Sequence, residues 1–397
     1  MPDKLPKIAW LSPLPPQRSG IAHYSYSLVK ALKPYFEIDL YYADEASAAV
    51  LKNEFDVYPQ AAFAGRYQSY DETVYHLGNH SEFHRSIYKL AWNFPGTVEL
   101  HDYNLAAFMH DAFYRRNDER LYEQALIEGY GDERREAFQA LADGRIPDPA
   151  RFPLSHAVVA RSRKAVVHHR WVKTQLGGSD HVEVIPLFTR LNRRPTREEM
   201  ESFRKKFRIR ETHFVVTCLG FVNGNKLPWL QAEVVKRLIM DGYPVQLVFA
   251  GEPAPEVRSL ESEVRAAGRG EEIIFTGYLD EKDYFSAVFA SDVIVNLRNP
   301  SMGEASATLM HALAAARPTI VSDLNQYREF PDKVCWKLAH GESQAEELYA
   351  YLRALLSDKY LRAAISNNSA EYVRNVFAWE KIIARWRQLI SKSVAQP

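Results

Sequence analysis

An α/β protein built of two halves, each a parallel sheet covered by helices on both faces, is predicted by two observations. Strand-like apolar runs alternate with amphipathic helical stretches, and the alternation stops and restarts after a charged segment near the middle of the chain. Length agrees: 397 residues exceed one ordinary hydrophobic core, and about 150 residues per domain favours two units.

The first half opens on Lys7-Ile8-Ala9-Trp10-Leu11, a strand run ended by the turn-rich Ser12 to Gly20. A helix pattern follows, with Tyr24, Leu28, Val29 and Leu32 on one face, and Glu37 to Tyr42 reads as the next strand, completing a βαβ opening. Thr73 to Leu77 and Thr97 to His101 are further strands, with a helix from about Glu82 to Trp92 between them. The chain is then helical to about Ala142, before Ala157 to Ala160 and Ala165 to His168 add short apolar runs.

Between Thr189 and Glu211 the composition turns rich in Arg, Lys and Glu, as in a solvated linker, and the domain boundary is placed there, after residue 188. Strand patterns resume at Phe214 to Leu219 and Val245 to Ala250, with a helix from about Trp229 to Met240 between them. Further strands follow at Glu272 to Phe275, Val293 to Leu297 and Thr319 to Ser322. Helices are expected at about Gln344 to Ser357, Lys359 to Ser366 and Trp379 to Ser391. The expectation is thus a first Rossmann-like domain over 1–188, a second over 189–377, and a final helix, 378–397, crossing back to the first. The two would face a central cleft.

Lys+Arg and Asp+Glu both number 50, so no charge excess draws nucleic acid or holds a membrane, and an anion site must be local. Cys218 and Cys335 each sit in an apolar run, as buried thiols of a reducing compartment do, and a cytoplasmic location is expected. No apolar stretch approaches the roughly 20 residues that span a bilayer. A peripheral contact at the inner face of the membrane stays open, although the basic cluster from Arg161 to Lys173 reads first as a solvated helix face.

In open α/β sheets ligands sit beyond the carboxyl ends of the strands. Six loops stand there: Pro13 to Gly20, Gly78 to His80, His101-Asp102, Gly220 to Lys226, Gly251-Glu252 and Asn299 to Thr308. The Ser19-Gly20 turn reads either as strand-to-helix punctuation or as a close approach of backbone to phosphate. Lys226, just past a strand end, reads as a solvated lysine or as the point charge that neutralises a diphosphate leaving group. From Asn299 the chain enters a helix of small residues, so amides of Ala305, Ser306, Ala307 and Thr308 can cradle phosphate oxygens, while Glu304 or Ser306 can equally cap the helix. His101 can hydrogen-bond a sugar hydroxyl or be structural. Dinucleotide and P-loop glycine patterns are missing from the chain, as are zinc spacings of Cys and His and any Asp-x-Asp pair, so neither a cofactor nor a metal is expected.

Taken in order, these loops resemble the retaining glycosyltransferase family 4, of GT-B fold, over nearly the whole chain. The likeness rests on Pro13 to Gly20, Leu100-His101-Asp102, Val184-Ile185-Pro186, Gly220 with Lys226, Phe249-Ala250-Gly251-Glu252, Phe275 to Leu279, and Gly303-Glu304-Ala305-Ser306 running on to Arg317 through Asp323. The Gly-Glu-Ala-Ser wording resembles a bacterial branch. By this resemblance Gly20 meets the diphosphate or sugar, His101 the donor sugar and Lys226, with Gly220, the diphosphate. The turn Gly277-Tyr278-Leu279 receives the base, and Glu304 to Thr308 bind sugar and phosphate. Family members carry two glutamates seven residues apart in the last segment; counting back from Pro318 places Gly303 and His311 there, with Glu304 one residue late. Phe221 replaces the arginine usual after the loop glycine.

The resemblance implies transfer of a sugar from a nucleoside diphosphate sugar to a hydroxyl of a glycan or lipid-linked acceptor, with retention, in polysaccharide biosynthesis. Catalysis would rest on Lys226, His101, Glu304 and the helix-start amides, together with closure of the cleft. The alternative is a pseudo-transferase that binds a sugar nucleotide or glycan, suggested by Phe221 and His311. A sugar-nucleotide 2-epimerase ranks lower, because the expected cleft offers mainly His101 and Glu304 for proton transfer.

Overall fold

The computed structural model describes residues 5–116, 118–188, 191 and 193–395. Met1 to Lys4, and Thr189, Arg190 and Asn192 at the start of the expected linker, lie outside the described residues. The chain divides into two compact units: Met1–Pro186 with Met302–Ala305 and Glu380–Pro397, and Leu187–Ser301 with Ser306–Trp379.

Unit 1 holds β1 (Lys7–Leu11), β2 (Glu37–Tyr42), β3 (Asp56–Pro59), β4 (Glu72–Leu77), β5 (Thr97–Leu100), β6 (Lys164–Val167) and β7 (Val182–Val184). They form one sheet in the order β3-β2-β1-β4-β5-β6-β7, every pair parallel. Strand order reverses at β1, which lies between β2 and β4, so the crevice that such sheets offer to ligands opens beyond the ends of β1 and β4. The helix Gly20–Leu32 starts there, capped by the Ser19 side chain, and buries Tyr24, Leu28, Val29 and Leu32 as its periodicity predicts. The last helix, Trp379–Ala395, buries Ile382, Trp386, Leu389 and Ile390, and its Trp386 ring lies 6.1 Å from that of Trp10 on β1.

Unit 2 repeats the plan with β8 (Phe214–Leu219), β9 (Val245–Ala250), β10 (Ile273–Phe275), β11 (Val293–Asn296), β12 (Thr319–Ser322) and β13 (Trp336–Leu338), in the order β10-β9-β8-β11-β12-β13, again parallel. Its switch point lies between β8 and β11, which selects the loops from Gly220 and from Leu297. Pro228 opens the helix Pro228–Met240, where its fixed φ and missing N–H are harmless.

Three strands escape the sequence reading, β3, β7 and β13, and each is the edge strand of its sheet. They have three or four residues and are partly exposed, so they carry no sustained apolar run. The apolar stretch around Ala157 to Ala160 is helical, His156–Arg161, and the helix from Lys359 runs on to Val376, past Ser366.

Candidate functional site

In unit 2 the turn after β8 is shaped by backbone. Gly220 has φ 79°, and a Cβ there would stand 3.0 Å from the Thr308 methyl and 3.3 Å from Lys226 Nζ. Gly251, after β9, packs so closely that an added Cβ would fall 2.3 Å from the Gly220 carbonyl oxygen. Two small residues therefore bring the ends of β8 and β9 together, beside a lysine.

Lys226 itself is 5 % exposed, and its ammonium donates to the Leu219 carbonyl. Burial pushes its pKa down to about 7, helped by Arg298 and opposed by Cys218. A cation held at such cost in stability stabilises an anion that arrives beside it, because the desolvation is already met.

The helix Ala307–Ala314 begins next to it. Ser306 caps the helix, its hydroxyl accepting from the Leu309 amide at 3.3 Å, and Asn296 at the end of β11 donates to Ser306 Oγ (3.3 Å) and accepts from Thr308 Oγ1 (3.1 Å). Asn296 is a buried polar residue at the end of an otherwise apolar strand; that polarity was the signal for it, and the sequence reading passed over it. Of the four amides expected to cradle phosphate, that of Ala305 is engaged, donating to the His101 carbonyl at 2.9 Å within unit 1. Ser306→Ala is expected to cost about 1 kcal/mol through the lost cap, read from urea unfolding; an unchanged midpoint would mean that the cap does not hold this helix start.

His311 lies on the same helix, its Nδ1 2.9 Å from the Tyr284 hydroxyl, and burial drives its pKa down to about 4. It is an uncharged group at neutral pH. The turn after β10 carries Gly277 at φ 68°, and the Tyr278 amide donates to Glu252 Oε2 at 3.2 Å while the Tyr278 ring is 57 % exposed. Leu279 packs partly against the core, and Phe221 is 56 % exposed beside Gly220.

In unit 1 an ideal Cβ on Gly20 meets nothing within 4 Å, so no neighbour in the chain demands glycine there. Asp102 accepts from the Asn79 amide at 2.8 Å and thereby joins the turns after β4 and β5. The segment Met302–Ala305 belongs to this unit: the Asn104 amide donates to the Met302 carbonyl at 2.9 Å, and the Glu304 carboxylate accepts from the Met302 amide at 2.8 Å. Gly303, at φ 65°, is pressed against Tyr103 and Trp171, so no glutamate fits at that position and the acidic side chain falls one residue later.

His101 is 6 % exposed and both of its ring nitrogens face other imidazoles, Nε2 at 3.0 Å from His76 Nδ1 and Nδ1 at 3.4 Å from His168 Nε2. Register explains the cluster. β4 pairs His76 with Glu99, alternation along β5 sends Glu99 and His101 to one face, and the pairing of Glu99 with Val166 puts His168 level with His101. Burial, then the neighbouring imidazoles, hold the His101 pKa well below the ordinary histidine range. Tyr24, from the helix above, donates to Glu99 Oε1 at 2.6 Å.

Residues 199–372 match the family model described as Glycosyl transferases group 1. No curated protein sequence matches the chain. Among solved structures, Anabaena Alr3699/HepE in complex with UDP and glucose superposes with a TM-score of 0.68 at 14 % identity, covering 98 % of this chain and 100 % of that one. The same protein has been solved with UDP-glucose. Sucrose-phosphate synthase from Thermosynechococcus elongatus gives a TM-score of 0.66 at 17 % identity over 99 % and 100 % of the two chains. WaaG, a glycosyltransferase involved in lipopolysaccharide biosynthesis, gives 0.63 at 15 % over 97 % and 99 %. Among the described residues no helix is long and apolar enough to cross a membrane. The chain thus has the GT-B fold, and its residues 199–372 match the group 1 glycosyltransferase domain.

Proposed function

We propose that the chain moves a sugar from a nucleoside diphosphate sugar to a hydroxyl of a glycan or lipid-linked acceptor, with retained configuration, as a family 4 enzyme. The observation that carries this reading is Lys226, a buried lysine with its pKa lowered to about 7, flanked by Gly220 and by the helix start at Ser306 to Thr308. When the bond from sugar to diphosphate breaks, negative charge grows on the leaving oxygen. The Lys226 ammonium and the amides of Ala307 and Thr308 stabilise that charge, without a metal ion on the diphosphate. The diphosphate oxygen then takes the acceptor proton as the acceptor attacks from the same face.

Gly277, Tyr278 and Leu279 receive the base in this reading, and His311 stands at the ribose as a neutral hydrogen-bonding group. Gly20 and Glu304 serve the sugar. His101 acts through its carbonyl, which fixes Ala305 and with it Glu304, since its ring nitrogens are turned to buried partners. A cytoplasmic protein docking on a membrane surface fits a lipid-linked acceptor.

UDP is the first nucleotide to test, since the HepE complexes hold UDP and UDP-glucose. In EDTA throughout, UDP is expected to raise the melting temperature; at 100 times Kd, linkage gives about 2.7 kcal/mol. If UDP, GDP, ADP and dTDP all leave the melting temperature unchanged at millimolar concentration, the nucleotide site is misplaced.

A further inference from the structure

We infer that His76, Glu99 and His101 form a buried site for one divalent first-row transition ion of the zinc class. The inference does not depend on the proposed transfer reaction. Among the described residues, these are the group of histidine and acidic side chains whose ligand atoms all lie within 4.8 Å of one another, and all three are buried. His76 Nδ1 is 3.0 Å from Glu99 Oε2 and 3.0 Å from His101 Nε2, and the third edge, His101 Nε2 to Glu99 Oε2, is 3.9 Å. Bonds of about 2.0–2.1 Å at tetrahedral angles set ligand atoms about 3.3 Å apart, the mean of these edges.

The hydrogen bonds around the triangle leave His101 Nε2 and Glu99 Oε2 without a proton, whereas His76 Nδ1 donates to His101 Nε2 and releases its proton when an ion binds. His168 Nδ1 lies 2.9 Å from the Ile185 carbonyl, which only accepts, so that nitrogen carries the proton. Its Nε2 is then the lone pair that accepts from His101 Nδ1 at 3.4 Å, and His101 Nε2 is left without a proton, facing His76 and Glu99. Glu99 Oε1 accepts from the Tyr24 hydroxyl and stands 3.5 Å from His168 Nε2, while the buried Oε2 makes no well-aligned hydrogen bond, His76 Nδ1 being 3.0 Å away but off axis. A carboxyl oxygen in that state is costly unless a cation meets it. His168 and Tyr24 thus stand where outer-shell groups orient metal ligands.

Imidazole with carboxylate suits zinc, cobalt or nickel better than magnesium or calcium. The expectation of a chain without metal came from sequence spacing. His76 and His101 are 25 residues apart and meet through strand register, which no short motif records.

The test is to express the full chain in medium with Co²⁺ replacing Zn²⁺, then to measure metal content and the visible spectrum of the purified protein. About one ion per chain is expected, with the intense bands of a four- or five-coordinate site and no sulfur charge-transfer band. Glu99→Gln and His76→Gln are expected to retain less than about a tenth of that metal, and His168→Gln to weaken binding about 10–100-fold against a competing chelator. Folded wild-type protein with less than about a tenth of an ion per chain, or full metal content in both ligand variants, overturns the proposal. Should the variants fail to fold, the wild-type spectrum decides: weak octahedral bands, or a sulfur band pointing to Cys218 or Cys335, also overturn it.

Discussion

Replacing Lys226 with alanine is expected to lower kcat by about 10²–10³-fold, the loss typical of removing one group that stabilises transition-state charge. KM for the donor should rise as well, because in the proposed reaction the same ammonium meets the bound diphosphate. The lowered pKa makes this prediction sharper than a simple loss. With the folded pKa near 7 and the ordinary value at 10.5, the unfolded chain binds more protons than the folded one between those limits. Stability therefore rises with pH across that window, by at most about 1.4 kcal/mol per pH unit from this group. Below pH 7 the burial cost is present in full. Lys226→Met, which keeps the volume and removes the charge, should be more stable than the wild type at pH 6 and far less active, a trade of stability for function. Diphosphate binding should pull the pKa back up, so UDP binding at pH 8 should take up protons. Titration calorimetry in buffers of different ionisation enthalpy reads that uptake directly. An activity within threefold of wild type in Lys226→Ala, with UDP binding free of proton uptake, would remove Lys226 from the site.

How much of this was legible beforehand follows from the kind of signal each feature leaves. Strands such as Phe214–Leu219 and Val245–Ala250 are buried on both faces and therefore read as continuous apolar runs. Edge strands such as Asp56–Pro59 and Trp336–Leu338 bury little, and their residues do not separate them from loops. The switch-point loops were legible because they follow strands whose position the alternation already determined. Lys226 was found that way; its burial was not, since burial depends on how closely Gly220 and Gly251 let the backbone turns approach. His101 was singled out by motif, whereas its partners Glu99 and His168 became visible only once the parallel register brought them to one face. The engagement of the Ala305 amide is of the same kind, a tertiary hydrogen bond with no local trace.

Gly303→Ala is expected to damage unit 1 through both its backbone and its packing. The backbone at φ 65° already strains any L side chain by about 1–2 kcal/mol, and the new Cβ would stand 2.6 Å from Tyr103 Cβ and 3.0 Å from the Trp171 ring. Tyr103 Cβ moves only with its backbone, so it cannot swing aside. Relief has to come from the Met302–Ala305 segment, whose bonds to the Asn104 amide and the His101 carbonyl, both 2.9 Å, would open. With overpacking at about 1–3 kcal/mol, the total reaches roughly 2–5 kcal/mol, read as a lowered urea midpoint. Glu304 loses its placement with the segment, so under the proposed function transfer should fall more than folding does. Gly20→Ala is the control with the opposite sign. Its Cβ meets nothing in the chain and it stands at a helix start, so stability should hold or rise by up to about 1 kcal/mol. If a substrate approaches that backbone, the same methyl should raise KM in a folded, stable enzyme. Gly303→Ala with an unchanged midpoint would show that the segment yields without cost, and Gly20→Ala with unchanged kinetics would take Gly20 out of the substrate site.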